Sequence, residues 1–445
     1  MITTLVGKTF LQAYNQKYNQ QYSAKDFFEK QYFELFFNHP KYLMTGGNSP
    51  FENPKISWEK MYKGIIPFES KERHAERLTK FIERVENTLS DDVDGSLAIG
   101  YPASEITATT SGLVSDLKFD TSQEDIYCSW IGAGLGLGVA GGFSLLINDA
   151  QIVLETYEGW KYYRQYLNDQ TLDKLRGNQI NSWNGQWLTY KLGNDYKEDF
   201  DFSVLSNEGI FNVEANAVEV NTVNWSNLFF SLSRLYPSKV LNAYIYSFGQ
   251  TNKTIGFIPL YLKSGTRLKN VFKQLFHTDA AFDNKDFQSL FGMHIKRACE
   301  IGNIGMKALR PENLKKYMED SKNLSFKKEE DNLIYQSYKT WLVAMLSKNK
   351  EQITDYTAEL AKLIQRYRSG AKGNDRKNLI EKDLLGAKSK KSFLDALTVM
   401  VNDIEKPDLD TLKNLRDEVH LMTNEEFGYF NILLKFDYAF VEKQS

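Results

Sequence analysis

Apolar and polar positions repeat with different periods along the chain, and the change of period divides it. Residues 8–36 form a polar-aromatic stretch of helical character. Residues 70–90 (SKERHAERLTKFIERVENTLS) predict a better helix, with Leu78, Phe81, Ile82 and Val85 at helical spacing. Residues 97–120, rich in Thr, Ser and Gly, read as strands and loops. A glycine-rich run is followed by two short extended pieces, 143–147 and 152–155, and then by a helix over 160–175. Strand alternation returns in 200–204 and 210–220, and 221–236 reads as a helix that stops before Pro237. Residues 241–247 and 254–262 predict a β-hairpin around the tip 248–253 (FGQTNK).

From about residue 306 onward the pattern is nearly all helical, in at least five runs. In 351–369, Ile353, Tyr356, Leu360, Leu363, Ile364 and Tyr367 make one face, with Lys362 and Arg366 on the other side. Thr423 and Glu426 have capping-box spacing at the start of the last helix. In that helix Phe427, Phe430, Leu434, Tyr438 and Val441 form a stripe, and Ile432, Leu433, Phe436 and Phe440 fill much of the remainder. A helix apolar nearly all round belongs at the centre of a bundle. Glycine marks the same division: 24 of the 28 glycines lie in 1–305. The expected fold class is α+β, with a mixed α/β N-terminal domain over 1–305 and a C-terminal helical bundle over 306–445. The boundary is expected near 304–311.

Composition narrows the function classes. The chain has 445 residues, 42% apolar and 25% charged, as in an average globular protein. With 55 Lys and Arg against 57 Asp and Glu, a uniformly basic nucleic-acid binder is excluded, but a local basic patch is not. Cys128 and Cys299 are too few for a disulfide framework or a Cys-rich zinc site, and they fit a reducing cytoplasm. The N-terminal residues lack the apolar run and cleavage site of a signal peptide. The most apolar segment, 130–147, is one-third glycine, so no membrane span is expected.

Candidate chemistry is sparse. Gly136-x-Gly138-x-x-Gly141 matches a dinucleotide fingerprint literally, and Glu158 lies near the expected acidic position. That chemistry needs a strand, a glycine turn and then a helix facing the pyrophosphate, whereas a β-type piece follows here. A close-packed structural segment is therefore the preferred reading. A nucleotide-cofactor-binding enzyme using Gly136–Gly141 and a scaffold protein with no nucleic-acid contact stand as alternatives. The five histidines are scattered, and Asp92-Val93-Asp94-Gly95 reads as a solvated turn, so no metal site and no cofactor are expected. Nothing points to a catalytic constellation.

The signal that stands out is basic and local. Between 362 and 391 there are ten cations against three anions. Of these, Lys362, Arg366, Arg368, Lys372, Arg376, Lys377, Lys388, Lys390 and Lys391 are the candidate nucleic-acid backbone contacts. Such clusters bind phosphates without base specificity. Lys263, Arg267 and Lys269 form a second cationic stretch after the hairpin. Asn184, Gln186 and Trp187, in a polar-aromatic loop, and Gln250, Asn252 and Lys253, at the hairpin tip, are candidates for reading bases or separating strands.

The order of these features resembles the large subunit of a type I CRISPR surveillance complex (Cascade), of the I-B group. The segment Thr45-Gly46-Gly47-Asn48-Ser49-Pro50-Phe51-Glu52-Asn53-Pro54 is similar to an early Asn- and Phe-containing segment of that family, which makes Asn48 a further candidate contact. The glycine-rich run with the strand and helix after it resembles the central segment, 240–262 the β-hairpin region, and Leu415-Arg416-Asp417-Glu418 with 427–440 the closing helices. The paired C-x-x-C motifs of many relatives are missing. The resemblance implies a non-catalytic subunit that recognises the protospacer-adjacent motif, helps open the target duplex and stabilises the R-loop. Its implied partners are guide RNA, target double-stranded DNA, the backbone and small subunits, and either a helicase-nuclease or a transposition adaptor. The family's bundle resembles the separate small subunit, for which Met306 or Met318 would be suitable internal starts.

Overall fold

In the computed structural model the described residues are 2–39, 60–61, 63–87, 93–94, 101–102, 121–198, 209–215, 217–247, 253–278, 281–293, 295–311, 329–346, 353–370, 374–404 and 406–444. The chain divides into two compact units. One comprises Met1–Lys263 with His294–Gly305, and the other Ser264–Met293 with Met306–Ser445. One cut thus falls at Gly305, inside the expected boundary, but 264–293 groups with the C-terminal residues.

The first unit is assembled on close helix contacts. Helix α1 (Ile2–Tyr18) is followed after a break by α2 (Ala24–Phe27), which runs through a π-helical turn (Phe28–Tyr32) into Phe33–Phe36. Helix α3 (Lys71–Glu86) starts where Ser70 accepts from the Arg73 amide at 3.3 Å, and it buries Phe81 and Val85. Val93–Asp94 (β1) pairs with Tyr101–Pro102 (β2), and the rest of the expected strand-and-loop region to 120 lies outside the described residues. Helix α4 (Gln123–Ala133) is capped reciprocally by Ser122 and Asp125. It meets α1 at backbone distance: a Cβ on Gly7 would lie 1.9 Å from the Cys128 carbonyl oxygen, and one on Gly132 the same distance from that of Thr3. The Thr3 and Ser129 hydroxyls bond across this seam at 2.7 Å.

Strands β3 (Leu137–Val139) and β4 (Phe143–Ile147) form a hairpin whose turn uses the positive φ of Gly141 and Gly142. With β7 (Val240–Ser247) and β8 (Lys253–Tyr261) they make one antiparallel sheet in the order β3-β4-β7-β8. The expected hairpin over 241–262 is therefore present; its tip, 248–252, lies outside the described residues. Between the two hairpins come α5 (Ala150–Asn168), α6 (Ile180–Lys191), a small hairpin of β5 (Phe211–Glu214) and β6 (Ala217–Val220), and α7 (Trp225–Leu235). The alternation expected at 200–204 lies outside the described residues.

Two expectations fail here. Residues 152–155 are helical, because the Asp149 carboxylate caps α5 by accepting from the amides of Gln151 and Ile152. Ile152 and Val153 then join the buried face that continues through Thr156, Gly159 and Trp160, and packing overrides their strand preference. The same helix stops at Asn168 rather than 175, where Asp169 caps a 3₁₀ turn. The core of this unit is rich in aromatics, with Trp160, Trp183, Tyr163 and Phe10 fully buried.

The second unit is helical. It holds α8 (Lys263–Phe276), whose first residue is the last of the other unit, and α9 (Lys285–Ser289). Helix α10 (Ile295–Ile301) belongs to the first unit, where the adjoining Ile304 bonds to the β8 edge. Then come α11 (Glu329–Leu346), α12 (Ile353–Ser369), α13 (Asp375–Asn378) running into a π turn (Leu379–Leu384), α14 (Lys390–Val401), α15 (Leu409–Leu421) and α16 (Asn424–Gln444). Thr423 and Glu426 form the expected reciprocal cap of α16, at 2.9 and 3.2 Å. Phe427, Phe430, Leu434 and Tyr438 are buried in one cluster with Leu360, Ile364, Phe393 and Leu415. A buried polar tie joins α11 to α16: Lys339 and Tyr335 donate to Asp437 at 2.8 and 3.0 Å. The architecture is α+β with a helical C-terminal region.

Candidate nucleic-acid interface

The basic segment spans α12, α13 and the start of α14, and the structure sorts its cations into two sets. Leu360, Leu363, Ile364 and Tyr367 turn inward on α12, which leaves Lys362 and Arg366 exposed. The arginines staple the bundle. Arg366 pairs with Asp408 at 3.1 Å. Arg368 pairs with Glu381 at 3.3 Å and also with Glu442. Arg376 reaches Asp403 at 2.5 Å, lies over the Tyr367 ring at 4.4 Å and donates to the Tyr367 carbonyl at 3.0 Å. Lys390 is also engaged: its ammonium donates to the Met422 and His420 carbonyls at 2.8 and 3.4 Å, closing the C-terminal end of α15. These four are structural in this unit.

The remaining set is Lys362, Lys377, Lys382, Lys388 and Lys391, exposed and without an ion pair among the described residues. Lys372 lies outside the described residues. Four of the five fall within 377–391, and two flank the start of α14. Ser389 caps that helix by accepting from the Ser392 amide at 3.2 Å. Its first turn holds no acidic residue. Cations are unfavourable at a helix N-terminus, where the macrodipole is positive and the first amides lack intrahelical acceptors. Lys390 gains compensation from the α15 carbonyls, whereas Lys388 and Lys391 gain none there. A phosphate would satisfy the two lysines, the open amides and the dipole together.

The other candidates are placed differently. On α8, Lys263 is exposed, Arg267 is half-buried with its pKa lowered by burial, and Lys269 pairs with Asp283 at 2.8 Å. Asn48, Gln250 and Asn252 lie outside the described residues. Lys253 begins β8 opposite Ser247.

The polar-aromatic loop expected around Asn184, Gln186 and Trp187 is instead helix α6, and these readings are corrected. Ile180, Trp183, Asn184, Trp187 and Leu188 recur at helical spacing and are all buried. Asn184 is fully enclosed: it accepts from the Trp160 indole at 3.1 Å and donates to the Gly134 and Gly136 carbonyls at 2.8 and 2.9 Å. The Trp187 indole donates to the Glu155 carbonyl at 2.7 Å. Neither side chain is open to a base. Gln186 donates to the Asn221 carbonyl at 2.8 Å.

The glycine fingerprint is likewise structural. No helix begins after Gly141; the segment is the β3–β4 hairpin. A Cβ on Gly136 would lie 2.6 Å from both the Asn181 amide nitrogen and the Ser144 hydroxyl, and one on Gly138 would lie 2.8 Å from the Asn181 backbone. Glu158 bonds to Lys17 at 2.5 Å and lies 3.3 Å from Lys191. Burial pushes its pKa up, but the Lys17 hydrogen bond and the charges of both lysines outweigh it and hold the carboxyl below its usual range. Burial pushes the Cys128 thiol up to about 12, which leaves no thiolate at neutral pH. Among the described residues no cluster could hold a metal ion, and no helix is long and apolar enough to cross a membrane. Comparison with known proteins finds no matching family model, no similar curated protein and no similar solved structure.

Proposed function

We propose that this chain is the non-catalytic large subunit of a guide-RNA surveillance complex of the type I kind, and that its C-terminal helical unit holds nucleic-acid backbone. In this reading the first unit recognises the protospacer-adjacent motif and docks into the complex. The second steadies the opened strands and helps recruit an effector, a helicase-nuclease or a transposition adaptor. Sequence selection is left to pairing between guide and target. The reading rests on the order of sequence features given above and on one observation: unpaired Lys388 and Lys391 beside the capped, acid-free start of α14. Lysines at this place raise the local positive potential at a cost to the helix, and a bound phosphate reverses that cost. A solvated surface lysine has no reason to prefer it.

The test is assembly and strand opening. Expressed with its genomic neighbours and a guide, the chain should co-purify with guide RNA and support permanganate-sensitive opening of a matched target. Lys388→Glu/Lys391→Glu should leave assembly intact and reduce opening at least tenfold. An assembled complex with wild-type opening in the variant would remove the lysines from the function. A chain that purifies free of RNA would remove the larger reading and favour a scaffold.

A further inference from the structure

Helix α16 packs against α11 and α12. One stripe along it, at helical spacing, holds Gly428, Asn431, Lys435 and Ala439. Asn431 is buried, and its side-chain amide donates to the Leu385 and Ala387 carbonyls at 3.3 and 2.9 Å. These bonds tie the stripe to the segment that leads into Lys388, the residue after Ala387. Lys435 lies one turn beyond Asn431 and is half-buried. Its neighbours on the stripe are small. Ala439 is exposed, and a Cβ on Gly428 would meet no atom within 4 Å. No bulky side chain of this stripe therefore bars approach to the lysine.

Among the described residues Lys435 makes no hydrogen bond and no ion pair. The carboxylates of adjoining turns are engaged elsewhere. Glu442 is held by Arg368 and by the Tyr438 hydroxyl at 3.1 Å, and Glu381 by Arg368 at 3.3 Å. Asp437, on the far side of α16, takes Lys339 and Tyr335. Asp383 is exposed to solvent. Burial alone lowers the Lys435 pKa, with no neighbouring carboxylate to oppose it. An ordinary surface lysine buries its stem and keeps its ammonium in water. Here the ammonium itself is partly desolvated and keeps its three donors unused. Such a charge is costly until an anion supplies the acceptor. Lys388, on the segment tied to the stripe, is likewise exposed and unpaired. Two cations without partners are thus brought together from elements far apart in the chain.

We propose that Lys435 is a further backbone contact of this unit, holding a phosphate of the same target DNA strand that passes Lys388 and Lys391. The inference rests on the nucleic-acid reading above and adds an inner anchor to it. The test compares Lys435→Met with wild type, as the full chain alone and in the guide complex. Without ligand the variant should melt about 2 °C higher, because it keeps the packed stem and removes an unpaired, partly desolvated charge. In the complex it should bind target duplex about tenfold more weakly, equally on unrelated matched targets, with a slope of log K against log salt smaller by about 0.9. Lys435→Arg keeps the charge and should keep the slope. Acetylation footprinting of the wild-type complex, read by mass spectrometry, should label Lys435 before target DNA is added and not after. That measurement needs no variant and stands even if the methionine variant folds poorly. Protection already present before DNA is added would assign the lysine to guide RNA or a neighbouring subunit and overturn the proposal. A methionine variant that melts lower and binds as wild type would make the lysine structural, with the same consequence. An unchanged slope in Lys435→Met beside a smaller one in Lys388→Glu/Lys391→Glu would remove Lys435 alone. Unchanged slopes in both would remove the nucleic-acid reading itself.

Discussion

Asn184 shows how a side chain chosen for its hydrogen-bonding capacity can be spent inside the protein. It satisfies one indole and two backbone carbonyls in a closely packed glycine segment. Its composition resembles a recognition loop, because Asn and Trp serve both roles. What separates them is spacing, and the buried set from Ile180 to Leu188 has the helical period. The density of polar residues obscured it. Asn184→Ala leaves three buried groups unpaired and should lower unfolding stability by about 3 kcal/mol, read from urea denaturation. A change below 1 kcal/mol would mean that these bonds are replaced elsewhere. His74 is 2% exposed on α3. Burial holds its imidazole below the ordinary 6.5, with Glu69 opposing and Arg77 and Arg164 reinforcing the effect. The unfolded chain therefore takes the proton first. The stabilisation is complete above about pH 6.5 and is lost as pH falls through the lower folded value. The thermal midpoint should drop between about pH 7 and pH 5, and His74→Phe should flatten that drop; an unaltered slope in the variant would assign it to other groups.

At the scale of elements, local signals located structure well where one face is buried and less well where backbones touch. The helix at 70–90, the hairpin over 241–262 and the capped final helix follow from period and caps, within a few residues. The stretch 152–155 does not, since its β-branched pair sits one turn into a helix set by the Asp149 cap. The α1–α4 seam was not legible either: two isolated glycines, 125 residues apart, acquire meaning only when the helices cross. Gly7→Ala should cost about 3 kcal/mol through overpacking, with the helices forced apart. A variant as stable as wild type in thermal melts would show that the seam yields easily. The arginines of the basic segment belong to this scale too. Their spacing on helix surfaces was readable, but the acids that engage Arg366, Arg368 and Arg376 come from other elements, so only folding divides staples from free cations.

For the whole molecule, the glycine content of the chain falls after residue 305, and one cut between the two compact units lies at Gly305. The gradient gave no sign that 264–293 leaves the first unit, because α8 and α9 are ordinary amphipathic helices. Phe272 and Phe287, on these helices, pack with Phe282 and Phe291 of the adjoining turns at centroid distances of 5.0 to 6.0 Å. A product initiated at Met306 would lack them. A fragment of residues 264–445 should therefore melt at a higher temperature than one of 306–445, and equal midpoints would show that the segment adds nothing to this unit. Near-neutral overall charge hides two basic regions, the acid-free 220–278, which runs across the cut after Lys263, and the lysine-rich 362–391 in the second unit. Salt dependence probes the second of these most directly, because each phosphate contact contributes about 0.9 to the slope of log K against log salt on duplex DNA. The full chain with its guide complex, titrated against target duplex across a range of salt, should give a slope smaller by about 1 to 2 when Lys388→Glu/Lys391→Glu is compared with wild type. An unchanged slope would contradict the assignment of these lysines to nucleic-acid backbone.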